Sequence, residues 1–417
     1  MAPLSSIVGS DAEVLRERPF QLLLLANVLP ALGTALLSPV LGSLVDPLGT
    51  TTANVGLLMS AFTGPAVVVI PVAGVIADRL GRRPVILFGL LWFGAAGSAI
   101  ALTTDFRVAL GLRMLQGVGF AALTPIIITS IGDLYTGTKE ATAQGLRFTG
   151  TGVAQTAFPL AAGALVVLAW QYPFLLYAVA FPIAAVVYLW FEEPVDPEAD
   201  ADDDGRDVRT QLRELWALVS QRRAWAMVVA RGTPMFVWLG FLTYNSIVVV
   251  DLVGGTPVQA GVLAALSSLS FALAASQAGR ITERFDSRLW PLVAMNVAMA
   301  VGLSLVFVAG TLVAAFVGAV TMGTGFGVVL SLYRSVITNM ADPARRGGLV
   351  SVGEGVGRLS ATLAPILMGG AIALAAPRLG FASAVRSVGV ATSVLAAAAG
   401  IGCLFLVHRA PPVRADA

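Results

Sequence analysis

An all-α integral membrane protein, with twelve transmembrane helices in two pseudo-symmetric bundles of six, is the fold class that three observations predict. First, 57% of the 417 residues are hydrophobic and 12% charged, with a mean hydropathy of +0.85. A soluble domain carries roughly 25% charged residues, so this apolar excess needs lipid to cover it. Second, twelve apolar runs each reach the ~20 residues that cross a bilayer. Third, the chain repeats itself at mid-length.

The N-terminal segment, 1–19, is polar and of mixed charge, which is not the pattern of a cleavable signal peptide. The first bundle, 20–191, is read from the runs Phe20–Val45, Ala53–Ala77, Pro84–Thr103, Val108–Ile131, Ala141–Trp170 and Tyr172–Phe191. The second, 224–407, is read from Ala224–Val250, Val258–Ala278, Leu289–Ala309, Thr311–Arg334, Gly347–Leu374 and Phe381–Val407. Backbone polar groups in lipid must bond internally, and runs this long do so as helices. A linker, 192–223, separates the bundles. Its acidic first half, which includes Glu192 and Glu193, is expected to be loosely held. Its second half places Leu212, Leu215, Trp216 and Val219 at helical spacing, with Arg209, Arg213, Arg222 and Arg223 around them. That pattern reads as an amphipathic helix, lying either on the membrane surface or on the protein's own loops. A short tail, 408–417, follows.

Orientation comes from the basic residues. Twenty of the 26 fall on the side of the termini, and three on the other (Arg107, Arg378, Arg386). This asymmetry places both termini in the cytoplasm of a multi-pass protein of the cell membrane. A net charge of +2 gives no case for nucleic acid, and one Cys with one His gives no disulfide framework or metal cluster. The chain has no Gly-x-x-x-x-Gly-Lys for direct ATP drive and no nucleophile–base constellation, so neither an enzyme nor a cofactor is expected.

The repeat is centred on Gly74-Val-Ile-Ala-Asp78-Arg79-Leu-Gly81-Arg82-Arg83, which returns as Gly279-Arg-Ile-Thr-Glu283-Arg284-Phe-Asp286-Ser287-Arg288, 205 positions on. At the same offset Asp46 meets Asp251, Gly49 meets Gly254, Thr51 meets Thr256 and Gly56 meets Gly261. At an offset of 206, Gly117-Val-Gly119-Phe120 answers Gly323-Thr-Gly325-Phe326, and Pro159 to Gly163 answers Pro365 to Gly369. Matches in register over this length mean two copies of one structural unit.

The Gly-x-x-x-Asp-Arg-x-Gly-Arg-Arg loop between the second and third helices resembles the signature of the major facilitator superfamily, and the resemblance extends from Phe20 to Val407. Physically, Gly74 lets a neighbouring helix approach, Gly81 permits a tight reversal, and Asp78 can accept from free N–H groups at a helix start. The resemblance implies a latch between the two halves that closes while the site faces outward, with the start of the eleventh helix as partner. It also implies that Asp133 pairs with Arg79 or Arg82. In the second copy Asp286 replaces the turn glycine and Asn339 stands where Asp133 does, which implies a weaker latch at Gly279, Glu283 and Arg284.

Arg113-Met-Leu-Gln116-Gly117 in the fourth helix is similar to a motif of proton-coupled members of that family, in which a buried Arg faces the central cavity. Gly145, Pro159 and Gly163 match part of the pattern of its twelve-helix drug–proton antiporters, although Ala154, Phe158 and Ala162 replace glycines of that pattern.

Charged groups at membrane depth are costly and usually functional. Glu354 and Arg358, four apart, share a helix face and are expected to pair. Glu354 is the carboxylate well inside a run, and a carboxyl taken out of water binds a proton more readily. Arg231 either binds an anionic group or snorkels, and Arg147 is expected to snorkel. Asn27, Gln155, Tyr244, Asn245 and Gln277 are candidates to line a cavity, while Trp238, Phe236 and Phe241 form an apolar wall or face lipid.

Together these features predict a secondary transporter, working as a monomer in the bilayer by alternating access. The expected activity is export of a small amphiphilic compound in exchange for protons, with Arg113 and Glu354 handling the coupling. Uniport, or proton symport of a small and perhaps anionic organic solute, is the alternative within this fold; a non-transporting membrane sensor is the alternative of another class.

Overall fold

The computed structural model describes residues 12–194, 217, 220–285, 287–338, 340 and 343–409. Twelve helices among them are long and apolar enough to cross a membrane. They are α1 (Arg18–Val40), α2 (Thr52–Leu80), α3 (Arg82–Leu102), α4 (Phe106–Leu134), α5 (Gly137–Leu168) and α6 (Tyr172–Trp190) in the first bundle. The second holds α7 (Arg222–Leu252), α8 (Pro257–Ser276), α9 (Leu289–Val308), α10 (Leu312–Ile337), α11 (Gly348–Leu379) and α12 (Phe381–Arg409). Twelve crossings put both described ends on one face, which also carries most of the basic residues and is called the basic face below.

The sequence repeats become repeated packing. A Cβ added at Gly117 would lie 2.3 Å from the Phe62 carbonyl oxygen of α2, and one at Gly323 would lie 2.3 Å from the Ser267 carbonyl oxygen of α8. Two residues on, Gly119 abuts the α3 backbone at Phe93 (2.7 Å), and Gly325 abuts α9 at the Met295 carbonyl oxygen (2.7 Å). Each Gly-x-Gly therefore lets α4 or α10 press its backbone against two neighbours at once. In the loops, Gly49 and Gly254 both have positive φ (59° and 76°), and Thr51 and Thr256 both cap the helix that follows.

The two bundles meet through a second set of glycines, at the face opposite the basic one. Added Cβ atoms at Gly163 and Gly261 would lie 2.6 Å and 2.4 Å from the Pro257 and Pro159 carbonyl oxygens, across α5 and α8. The symmetric seam repeats this: Gly369 faces the Ala53 carbonyl oxygen at 2.4 Å, and Gly56 faces Thr243 at 2.7 Å, across α2, α7 and α11. Asn245 donates to Ser38 Oγ at 2.7 Å and Ser60 to the Thr362 carbonyl at 2.7 Å. That face is closed.

Three expectations change here. Arg222 and Arg223 begin α7 and do not flank a surface helix; the amphipathic segment expected around Leu212 to Val219 lies outside the described residues. Glu193 is not loosely held: its carboxylate accepts from the backbone N–H groups of Arg82 and Arg83 at 2.6 and 2.9 Å, capping α3. The fifth helix starts at Gly137 and the eleventh runs on to Leu379, because Gly and Pro inside a membrane helix do not end it when neighbours pack against them.

Candidate functional site

Between the bundles lies a cavity of about 310 Å³ that joins a wider vestibule of about 1050 Å³ leading to the basic face. The two share Thr124, Arg147, Phe148, Thr151, Glu354 and Arg358, so they form one space. The vestibule runs between the basic-face halves of α2, α4, α5, α10 and α11. The protein is thus open at the basic face and closed at the other.

One side of the cavity is aromatic. Trp238 stacks on Phe326 at 4.6 Å and 8°, and Phe271 packs against both at 5.8 and 5.2 Å. Trp238 is therefore a wall of the cavity, with Phe241 packed behind it, while Phe236 faces a separate crevice among α7, α11 and α12. Phe120, the repeat counterpart of Phe326, lines the opposite bundle and packs on Phe62 at 4.8 Å. These two rings end the paired Gly-x-Gly-Phe segments of the repeat.

The other side is polar. Asn27 donates to Thr151 Oγ1 (2.8 Å) and to the Arg147 carbonyl, and accepts from Arg147 Nη1 (3.2 Å). Arg147 also donates to Gln144, so it is a bonded part of the cavity wall and does not snorkel. Gln155 lines the same space, and its buried Oε1 has no partner.

Glu354 does not pair with Arg358. Arg231, on α7 and 3% exposed, donates from Nη2 to Glu354 Oε1 at 2.9 Å. Arg358 instead sits over the Phe120 ring, 5.6 Å from its centroid. The one-turn spacing made a pair within α11 possible; the close crossing of α7 past α11, where an added Gly357 Cβ would lie 3.4 Å from Arg231, decided against it.

Arg113 lines neither cavity. It is fully buried inside the first bundle, donating to the Leu58 and Gly33 carbonyls (3.2 and 2.8 Å), to Gln116 Oε1 (2.6 Å) and to Tyr177 Oη (3.3 Å). Its guanidinium also lies 4.4 Å from the Phe62 ring centroid. Polar acceptors on every side hold this charge without a carboxylate. Tyr177 was missed in the sequence because nothing local connects it to a residue 64 positions away.

Tyr244 and Asn245 are corrected as cavity-lining candidates: both are buried in the closed seam, where Asn245 bonds Ser38 and an added Gly369 Cβ would lie 3.2 Å from Tyr244 Oη. Gln277 stands exposed at the end of α8, accepting from Arg280 at 2.7 Å.

The latch residues are apart from the second bundle in this conformation. Asp78 accepts from Arg82 at 2.5 Å, within its own loop, and not from a helix start across the interface. Arg82 bridges on to Asp133 (3.0 Å), Arg83 donates to the Tyr188 carbonyl, and Arg79 is exposed. Gly81 makes the reversal at φ 92°. Added Cβ atoms at Gly74 and Gly279 would meet open space, as the open basic face requires. Arg284 is exposed, while the side chain of Glu283, with Asp286 and Asn339, lies outside the described residues.

Two six-helix bundles around a cavity reachable from one face define a polytopic membrane transporter. The profile of the Major Facilitator Superfamily matches residues 23–365, and the chain belongs to that family. It is a multi-pass membrane transporter and not an enzyme, which sets aside the sensor reading. Among curated relatives, it is 35% identical over 120 residues to the bacillibactin exporter of Bacillus subtilis, covering 28% of this chain and 30% of that protein. It is 28% identical over 310 residues to a chloramphenicol resistance protein of Streptomyces lividans, covering 70% and 78%. The matched stretch is thus under a third of the bacillibactin exporter's length. Among solved structures, an inward-facing, occupied bacterial homologue of the human lysosomal transporter Spinster superposes with a TM-score of 0.81 at 19% identity, covering 95% of this chain and 98% of that one.

Proposed function

We propose that this transporter exports a small amphiphilic compound from the cytoplasm in exchange for protons. The excess of basic residues on the face of the termini supports reading that face as cytoplasmic, and on that reading the cavity is open inward. The observation that carries the reading is the two-sided cavity: the Trp238–Phe271–Phe326 cluster for an apolar body, and Asn27, Gln155 and Arg358 for a polar end. Export is what the name of the bacillibactin exporter of Bacillus subtilis supports.

Coupling rests on Glu354, the carboxylate in that lining. Ionised, it holds Arg231. Protonated from the outward-open state, it releases Arg231 and weakens the polar end of the site, so the substrate leaves as the proton enters. Return to the inward-open state gives the proton to the cytoplasm. The glycine seams close one face, and the Asp78 loop is the latch of the other. Each chain holds a whole cavity, so a monomer suffices.

A second reading has its own support: Arg147, Arg334 and Arg358 in one lining favour an anionic solute, which symport with a proton or uniport would also carry. Proton movement in proteoliposomes separates the two. An internal pH dye is followed under an imposed gradient while amphiphilic cations, organic anions and sugars are added to wild type and Glu354→Gln. Antiport gives substrate-driven proton flux opposite to the substrate and absent in Glu354→Gln; flux in the same direction gives symport. Substrate movement that ignores both the gradient and the substitution rejects coupling.

A further inference from the structure

The hydrogen-bond partners of the central cavity divide its polar side chains into two groups. Asn27, Arg147, Thr151 and Glu354 are met from within the protein: Arg147 donates to Asn27, Asn27 donates to Thr151, and Glu354 holds Arg231. Two larger groups are not. Gln155 Oε1 is buried in the lining without a partner. The Arg358 guanidinium has only the face of the Phe120 ring, with no hydrogen bond or ion pair among the described residues. Thr34 also lines the space, but its hydroxyl turns to donate or accept and selects little. Buried polar groups left unmet are costly and rare in native proteins, and inside a binding cavity they are the ones left for a ligand. Arg358 can only donate, which suits an anion. A carboxamide both donates and accepts, so Gln155 matches an amide whichever way either group turns.

The internal repeat gives their spacing and shows that each is single. Both bundles begin on the basic face, so residues related by the repeat lie at one depth. Gln155 answers Ala361, which follows Arg358 by three residues, so the carboxamide branches from the wall about 4.5 Å deeper than the guanidinium. Arg358 in turn answers Gly152. Each polar group thus has a small apolar counterpart, and a ligand finds one charged point and one neutral point. The Trp238–Phe271–Phe326 wall supplies a third corner, which fixes one orientation. Glu354, one turn nearer the basic face, is already neutralised by Arg231 and leaves the charge of Arg358 to the ligand.

We propose that the transported compound is an aromatic carboxylate with an amide beside the charge, the pattern of an N-aroyl amino acid. Its carboxylate sits on Arg358, its amide on Gln155 and its ring against the aromatic wall. This class rests on the amphiphile reading above and narrows it. The cavity of about 310 Å³ is at the small end of the roughly 300–1,000 Å³ of ligand pockets, which suits a two-ring body with a short polar end.

The probe is tritiated 2-naphthoylglycine, bound at equilibrium to the full-length protein in lipid nanodiscs. Two unlabelled analogues compete with it: its methyl ester, which has no charge, and 4-(2-naphthyl)butanoate, which has the same length and charge but no amide. Wild type is expected to prefer the acid to the ester by about thirtyfold, and to the butanoate by about fivefold. Arg358→Gln brings the first ratio within about twofold and leaves the second; Gln155→Leu does the reverse. A general loss of structure lowers all three affinities together and cannot give this crossed pattern. Melting temperatures verify folding. Arg358→Lys, which keeps part of the acid preference, and Gln155→Met, which loses the amide preference, serve where a first variant does not fold. Equal binding of acid and ester by wild type, or either ratio unchanged in its own variant, overturns the inference and leaves export of an amphiphile standing. Substrate-driven flux in proteoliposomes without binding of 2-naphthoylglycine also overturns this class alone. Absence of both binding and flux rejects the function proposed above as well.

Discussion

Arg231 and Glu354, 123 positions apart, are held 2.9 Å from each other across α7 and α11, with the acid facing the cavity and the base buried behind it. This geometry makes Glu354 the point where cavity water, substrate and a fixed cation meet. Glu354→Gln is expected to reduce proton-coupled flux by about tenfold or more while keeping the fold, since the side chain is 41% exposed and its pairing is screened. Arg231→Ala lowers flux as well. The double swap Arg231→Glu with Glu354→Arg restores yield but not coupling. Substrate-driven pH changes in proteoliposomes measure all three, and full coupling in Glu354→Gln rejects the assignment.

Arg113 and Arg358 flank two rings: Arg113 on Phe62, Phe62 on Phe120, and Phe120 under Arg358. Arg113 therefore reaches the cavity only through aromatic contacts. Arg113→Ala strips donors from two buried carbonyls and is expected to cost on the order of 3 kcal/mol, seen as a lower melting temperature in detergent. Phe120→Leu keeps those hydrogen bonds, and its expected effect is a change in substrate affinity with little change in melting. Equal destabilisation by both variants contradicts this division.

Glycine contacts hold the closed face shut. Gly163→Val and Gly369→Val place atoms where backbone carbonyls already lie and shift the population toward the state open on that face. A cysteine introduced at Ser38, buried in the seam and read in a Cys403→Ser background, is expected to label several-fold faster in both variants. Unchanged labelling means that the seam yields without opening.

Glu193 bridges the end of the first bundle and the start of α3. Glu193→Ala leaves two N–H groups without their carboxylate and is expected to cost about 1 kcal/mol. Hydrogen exchange at Arg82 and Arg83 rises as a result, whereas exchange in α9 stays unchanged.

Glu17 pairs with Lys139 at 2.6 Å and anchors the short N-terminal helix to the first turn of α5. The hydrogen bond from Lys139 holds its carboxyl below the usual glutamate range, and burial pushes the Tyr135 phenol up. A depressed acid contributes stability above its unfolded value of about 4.3 and loses it as pH falls through the lower folded value. Proteolytic release of residues 12–17 is thus expected to increase below about pH 4 and to be pH-independent in Glu17→Gln.

Composition, run length and the repeat were enough to define twelve helices in two bundles, because a bilayer admits little else at that hydropathy. The repeated glycines marked where backbones touch, and they did so in both halves. Gly81 and the loop around it were legible for the same reason: a positive φ selects glycine locally. The site was less so. Spacing along α11 suggested Glu354 with Arg358, but a partner across the helix crossing lay nearer. Two of the four acceptors around Arg113 are backbone carbonyls, which every residue carries and no sequence marks. Tyr244 and Asn245 looked like cavity residues because polarity in a membrane helix shows a need for partners without showing whether a substrate or the other bundle meets it. Which face is open, and hence which residues line a cavity at all, was decided by how the two bundles tilt against each other, and that depends on contacts between residues about one to three hundred positions apart.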